Sequence, residues 1–199
     1  QPIYDIAEIC AQHGITNAVV CPGSRCAPLT LAFSRHASIT CRTFSDERSA
    51  CFVALGIAHQ TKTPVSIVCT SGSAAYNFAP AIAEAFYQET PLLVFTADRP
   101  AEWIDQWDGQ TIRQNNIFGA HVKKSYTLPQ EYDHPDSNWH IQRIINEAIA
   151  QSKEFPKGPI HINVPLREPL YPATGEKISF SKLKRTIRVT PSSSQLSQE

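Results

Sequence analysis

Short apolar runs alternate with stretches of helical periodicity from residue 3 to residue 165. Ile3, Ile6, Ala7, Ile9 and Cys10 recur at helical spacing, and Gly14 supplies the stop. Ala18-Val19-Val20-Cys21 is continuous and apolar, the pattern of a strand covered on both faces. Pro22-Gly23-Ser24-Arg25 breaks it, and a helix over about 28–36 follows with Pro28 in its first turn. Residues 39–44 read as a second strand. Asp46-Glu47-Arg48 opens the next helix, which runs to about residue 60. Over 49–58 that helix is apolar almost all the way round, so burial on every side is expected.

The alternation continues. A third strand is predicted over 64–69, a turn over 70–73 and a small-residue helix over 74–88. A fourth strand spans 91–96 and closes on Ala97-Asp98-Arg99-Pro100. Residues 103–116 are polar, irregular and too long for a mere connection. A fifth strand falls within 120–128. An amphipathic helix over 137–153 opens with Ser137 and Asn138 as capping candidates, and 158–165 is an alternating sixth strand. Beyond residue 171 the pattern dissolves into a Lys- and Ser-rich stretch. The expected organisation is one domain over 1–170, with 171–199 a linker or the start of a further domain.

Strands and helices in this order predict a three-layer α/β/α fold around a mostly parallel, roughly six-stranded doubly wound sheet. Right-handed crossovers bring every strand-to-helix loop to one edge of such a sheet. Ligands bind at that carboxyl edge. Loops 21–25, 45–47, 70–73 and 97–100 therefore share one rim, and 103–116 starts from it. The rim gathers Ser24, Arg25, Glu47, Ser71, Gly72, Ser73, Arg99 and Gln110.

Composition narrows the chemistry. Lys plus Arg and Asp plus Glu both number 18, so a broad nucleic-acid footprint is not expected. No apolar run approaches a membrane span. Six cysteines lie in the first 70 residues without CxxC spacing and inside apolar patterns. They read as reduced core thiols of a cytoplasmic protein. Gln1 in place of a starting Met reads as a piece cut from something longer.

Glu47 sits in a first helical turn, where the helix end favours an ionised carboxylate while dry surroundings favour a protonated one. A carboxyl under both pressures is poised to exchange a proton. The plainer alternative is a residue that serves the helix dipole or pairs with Arg48. Arg25 and Arg99 on one ligand edge favour anionic substrates, because guanidinium grips a carboxylate with two parallel hydrogen bonds. Their plainer reading is pairing with Asp46 and Asp98. Ser71-Gly72-Ser73-Ala74 lacks the Lys of a phosphate loop and the frame of a nucleophile elbow. Its glycine is expected to let a flat ligand approach the backbone. His161, between Ile160 and Ile162, reads as structural.

Taken together, Cys-Pro-Gly-Ser-Arg-x-x-Pro-Leu-Thr (21–30), Asp-Glu-Arg (46–48), Thr-Ser-Gly-Ser-Ala (70–74), Thr-Ala-Asp-Arg-Pro (96–100), Gln-Thr-Ile-Arg-Gln (110–114) and His-Ile-Asn-Val-Pro-Leu (161–166) resemble one family. It is the menaquinone-pathway synthases of the thiamine-diphosphate-dependent decarboxylase-like superfamily, and the similarity covers their N-terminal, pyrimidine-binding domain. The resemblance implies that Glu47 bonds a ring nitrogen of the cofactor's aminopyrimidine and so helps it take up a proton. It implies contacts from Ser71, Gly72 and Ser73 to thiamine diphosphate, from Ser24, Arg25 and Arg99 to substrate carboxylates, and from Gln110 near the reacting carbon. The implied substrates are 2-oxoglutarate, which is decarboxylated, and isochorismate, which receives the succinyl unit. Gly109 stands where the family carries Asn. The family holds the diphosphate and its Mg2+ or Mn2+ ion with a Gly-Asp-Gly motif in a C-terminal domain, and no such motif occurs here. Family sites form between subunits, so a homodimer or higher assembly is implied and this chain by itself is expected to be inactive. An acetolactate-synthase-like enzyme and a non-catalytic dimerisation or binding module are the alternatives.

Overall fold

The structure is a computed structural model and describes residues 2–181 and 186–187. Six strands form one sheet: β1 (Asn17–Val20), β2 (Thr40–Thr43), β3 (Val65–Cys69), β4 (Leu92–Asp98), β5 (Lys124–Thr127) and β6 (Ile160–Pro165). Their order is β2-β1-β3-β4-β6-β5, and every pairing is parallel. The expected α/β/α architecture is present, with an all-parallel sheet. The helices are α1 (Pro2–Gln12), α2 (Ala27–Ser34), α3 (Glu47–Thr61), α4 (Ser73–Asn77), α5 (Ala79–Tyr87) and α6 (Pro135–Lys153).

Alternate residues of the buried strands feed two cores. Val20, Val68, Leu93, Phe95 and Ile162 pack under α1, α2 and α6. Val19, Ile67, Cys69, Leu92 and Val94 pack under α3, α4 and α5. Strands β3, β4 and β6 are buried at every position, as strands covered on both faces must be. The alternation read over 158–165 is therefore not a wet–dry alternation: His161 and Asn163 are as dry as their apolar neighbours. The exposed edge strand β2 carries Arg42, whose guanidinium reaches Asn17 at 3.0 Å across to β1.

Three further expectations change. The helix read over 74–88 is two helices, because Pro80 removes a donor and the chain restarts at α5 with proline in its first turn. α6 is capped by His134, which accepts from the Asp136 amide at 3.1 Å, and not by Ser137 or Asn138. α3 is not buried on every side. Ala50, Cys51, Ala54, Leu55 and Ala58 face the core, while Phe52 is 44% exposed and Gly56 lies open on the outer face.

The chain reverses direction across the sheet between β1 and β3, which makes that point the switch crevice. Loops 21–25 and 70–73 meet there: a Cβ on Gly23 would lie 2.5 Å from the Thr70 Cβ. Residues 172–180 have no helix or strand, yet they return to the sheet's other face. The Phe180 ring packs edge-on to His36 at 4.8 Å, and the Thr186 hydroxyl donates to Gln12 at 2.6 Å.

Phe95 is fully buried at the sheet centre and packs on Phe33 with ring centroids 5.6 Å apart. Phe95→Ala is expected to lower the unfolding free energy by about 3–5 kcal/mol, read from the urea midpoint.

Candidate functional site

Buried β-strands carry polar side chains only where each polar atom finds a partner. Beneath the rim these partners form one connected array. The Thr96 hydroxyl donates to Asn163 Oδ1 at 2.9 Å and so accepts from His161 Nε2 at 2.8 Å. That assignment leaves His161 Nδ1 to accept from the Ser125 hydroxyl at 2.8 Å. Asn163 Nδ2 donates to Asp98 Oδ2 at 2.7 Å. Asn163 Oδ1 accepts a second bond, from Gln114 Nε2 at 3.0 Å. Gln114 also donates to the Ala97 carbonyl at 3.0 Å, and its Oε1 accepts from the Gly72 amide at 2.7 Å. Burial pushes the His161 imidazole down to about 3, so the ring is neutral in the folded protein. Burial also raises the Asp98 carboxyl, against donors from Asn163 and the Arg99 amide. His161 is structural, as read from the sequence.

Arg99 is not paired with Asp98 through its guanidinium. Its Nε donates to Asp108 at 2.5 Å, Nη1 to the Ser71 hydroxyl at 2.9 Å and Nη2 to the Gly109 carbonyl at 2.8 Å. Arg99 in turn holds the Asp108 carboxyl below the usual range. Arg25 is not paired with Asp46 either. Its Nη1 donates to the Leu166 carbonyl at 2.8 Å, and Nη2 lies 3.8 Å from Glu168. Its Nε is buried and has no hydrogen-bond partner among the described residues. The two arginines share a cleft of about 420 Å³ with Pro100, Trp103, Asp108, Arg167 and Glu168.

Gly72 has φ +85°, and a Cβ there would lie 2.8 Å from the Gln110 carbonyl oxygen. The backbone of Gln110 thus packs closely against this glycine. Ser71 is fully buried under Arg99, so Ser73 alone of this turn is exposed. Gln110 is exposed and has φ +55°, a conformation that costs a non-glycine residue about 1–2 kcal/mol.

Glu47 occupies the first turn of α3 and is half-buried rather than dry. Asp46 caps the helix, accepting from the Ser49 amide at 2.7 Å, so Glu47 is not needed for capping. Its charge adds to burial in pushing the Cys21 thiol up to about 12, which places Glu47 beside the end of β1. Ser24 is exposed on the neighbouring loop. The structure thus brings Arg25, Ser71, Gly72, Arg99 and Gln110 into one contiguous group. Glu47 and Ser24 flank it across the switch crevice.

Two residues of this arrangement were not singled out from sequence, Asp108 and Gln114. Gln114 ends the Gln-Thr-Ile-Arg-Gln motif, yet a single buried amide within a polar irregular stretch leaves no mark on periodicity. Its placement four residues after Gln110 was the available signal.

The sign of the His161 effect is fixed by its lowered value. Below pH of about 6.5 the unfolded chain takes up a proton that the folded chain refuses, down to about pH 3. The unfolding midpoint is therefore expected to fall more steeply with pH over this window in the native chain than in His161→Gln. Thermal scans from pH 7 to pH 4 test it.

The family model for thiamine pyrophosphate enzymes, N-terminal TPP binding domain, matches residues 4–118. A 2-succinyl-5-enolpyruvyl-6-hydroxy-3-cyclohexene-1-carboxylate synthase of Cytophaga hutchinsonii is 56% identical over 188 residues, covering 94% of this chain and 33% of the relative. Synthases of the same name from Bacteroides fragilis and Desulfotalea psychrophila are 47% and 48% identical, over 88% and 86% of this chain and 32% of each relative. The chain thus spans about a third of the length of the curated relatives it matches.

Proposed function

Because the chain belongs to the thiamine pyrophosphate enzyme family, through its N-terminal TPP-binding domain, we propose that it is the pyrimidine-binding part of a menaquinone-biosynthesis synthase. In this reading the complete protein removes carbon dioxide from 2-oxoglutarate and adds the succinyl unit to isochorismate. The names of the relatives support the product class.

The observation that carries the reading is Glu47, a half-buried carboxyl beside the switch crevice, relieved of capping by Asp46. It fits an aminopyrimidine: a carboxyl can hold a ring nitrogen and pass a proton there. When bound, thiamine diphosphate supplies the electron sink for 2-oxoacid decarboxylation. Glu47 fixes the ring's protonation, and Ser73 is the exposed residue of the 70–73 turn. The Gly72 amide, which could otherwise hold a phosphate oxygen, is already engaged by Gln114. This supports assigning the diphosphate and its Mg2+ or Mn2+ ion to residues outside this chain.

Arg25 is the carboxylate grip. It lines the cleft, and its Nη2 is held only by a 3.8 Å contact to the exposed Glu168, which an anionic ligand would replace. Arg99 adds positive charge to the same cleft, but its three nitrogens already hold Asp108, Ser71 and Gly109. Ser24 and Gln110 line the approach as uncharged polar contacts.

The outer row of α3 supports self-association. Phe52 and Gly56 are exposed on it, and Tyr76 of the adjacent α4 is 57% exposed. A cytoplasmic location fits the six free cysteines. Among the described residues, no helix is long and apolar enough to cross a membrane.

Three outcomes are expected in assays with 2-oxoglutarate, isochorismate, thiamine diphosphate and magnesium. The 199-residue chain turns nothing over, and the complete protein does. Glu47→Gln in the complete protein lowers kcat by roughly a hundredfold or more with substrate affinity largely kept. Arg25→Ala chiefly raises KM for the dicarboxylates. Unchanged turnover in Glu47→Gln would return the chain to the binding-module class.

A further inference from the structure

The backbone over 105–116 is under strain: Asp105, Trp107, Gln110 and Asn116 all have φ between +53° and +63°. Non-glycine residues hold such conformations only where the surroundings over-determine them. Here there are two anchors. Arg99 holds the near end through Asp108 and Gly109. Gln114 holds the far end and is 1% exposed. Gln110 lies between them, its backbone pressed on Gly72.

We propose that Gln114 is a positioning residue that locks the Gly72 turn and the Gln110 backbone together as one unit, so that Gln110 is presented to the reacting substrate in a single geometry. This rests on the functional reading above for the role of Gln110, and on contacts within the chain for the lock itself. Its side-chain amide is satisfied at both ends. The carbonyl oxygen takes the Gly72 amide, and the nitrogen donates to the ends of β4 and β6 through Ala97 and Asn163. No other residue type of this length offers one acceptor and two donors in that arrangement. Glutamate matches the shape but sets a carboxylate oxygen against two acceptors. Protonated, it offers one donor and partly restores the lock.

The test uses the complete protein with Gln114→Leu and Gln114→Glu, read by hydrogen exchange and by steady-state kinetics. Both variants are expected to exchange faster in peptides covering 70–75 and 105–116, with peptides of β1, β3 and β4 unchanged. Their kcat is expected to fall about tenfold to a hundredfold, with thiamine diphosphate affinity kept. The Gln114→Glu variant recovers exchange protection and kcat as pH is lowered from 8 toward 5.5, whereas Gln114→Leu does not. Native exchange and native kcat in both variants overturn the proposal. So does a loss of protection spread over the whole sheet, or the absence of any pH-dependent recovery in Gln114→Glu. If the unmutated complete protein shows no thiamine-dependent turnover while 70–75 and 105–116 loosen as expected, the functional reading fails and the lock stands.

Discussion

Three strands that are dry along their whole length, β3, β4 and β6, leave no solvent for the polar side chains they carry. Thr96, His161, Asn163 and Asp98 must therefore satisfy one another, and they do so with hydrogen bonds of 2.7–2.9 Å. That constraint reaches the rim through Gln114 as well as through Asp98, which accepts from the Arg99 amide. Asn163 Oδ1 needs a second donor, and Gln114 supplies it while holding the Gly72 amide with its other end. A requirement set in the sheet's interior thus fixes loops at its surface. Replacing one member leaves buried partners unpaired, at a cost of about 1–3 kcal/mol for each orphaned group. The array is accordingly more rigid than its individual bonds suggest.

Much of the architecture is legible in the order of apolar runs, because burial on both faces erases alternation and parallel crossovers put every loop on one edge. Sequence reading places all six strands and gathers the rim loops correctly for that reason. What it misses depends on third dimensions of packing. The helix over 49–58 looks apolar all round, yet Phe52 and Gly56 face outward, since periodicity tells which residues are apolar and not what covers them. Pro80 splits a helix whose small residues read as continuous. Arg99 finds Asp108, nine residues on in an irregular stretch, rather than its neighbour Asp98. Nor does sequence say that the backbone of Gln110 packs against Gly72.

The rim divides its labour unequally. Arg99 and Ser71 are occupied in holding the 105–116 stretch, and Gly72 is covered by it. Arg25, Glu47, Ser24, Ser73 and Gln110 keep polar groups available at or near the crevice. The supporting residues lie just past the ends of β3 and β4, at the centre of the sheet. The available ones lie on the loops after β1 and β2, at the start of α4 and at the crest of the strained stretch.

The return of residues 172–181, and of Thr186 and Ile187, against α1, α6 and His36 has a separate meaning for the fold. That run occupies the side of the sheet opposite α3. The exposed row of α3, with Phe52 and Gly56, and the C-terminal contacts on α1 and α6 therefore occupy opposite flanks of the sheet. Groups on the two flanks share no partners, so the stability effects of substitutions there are expected to add.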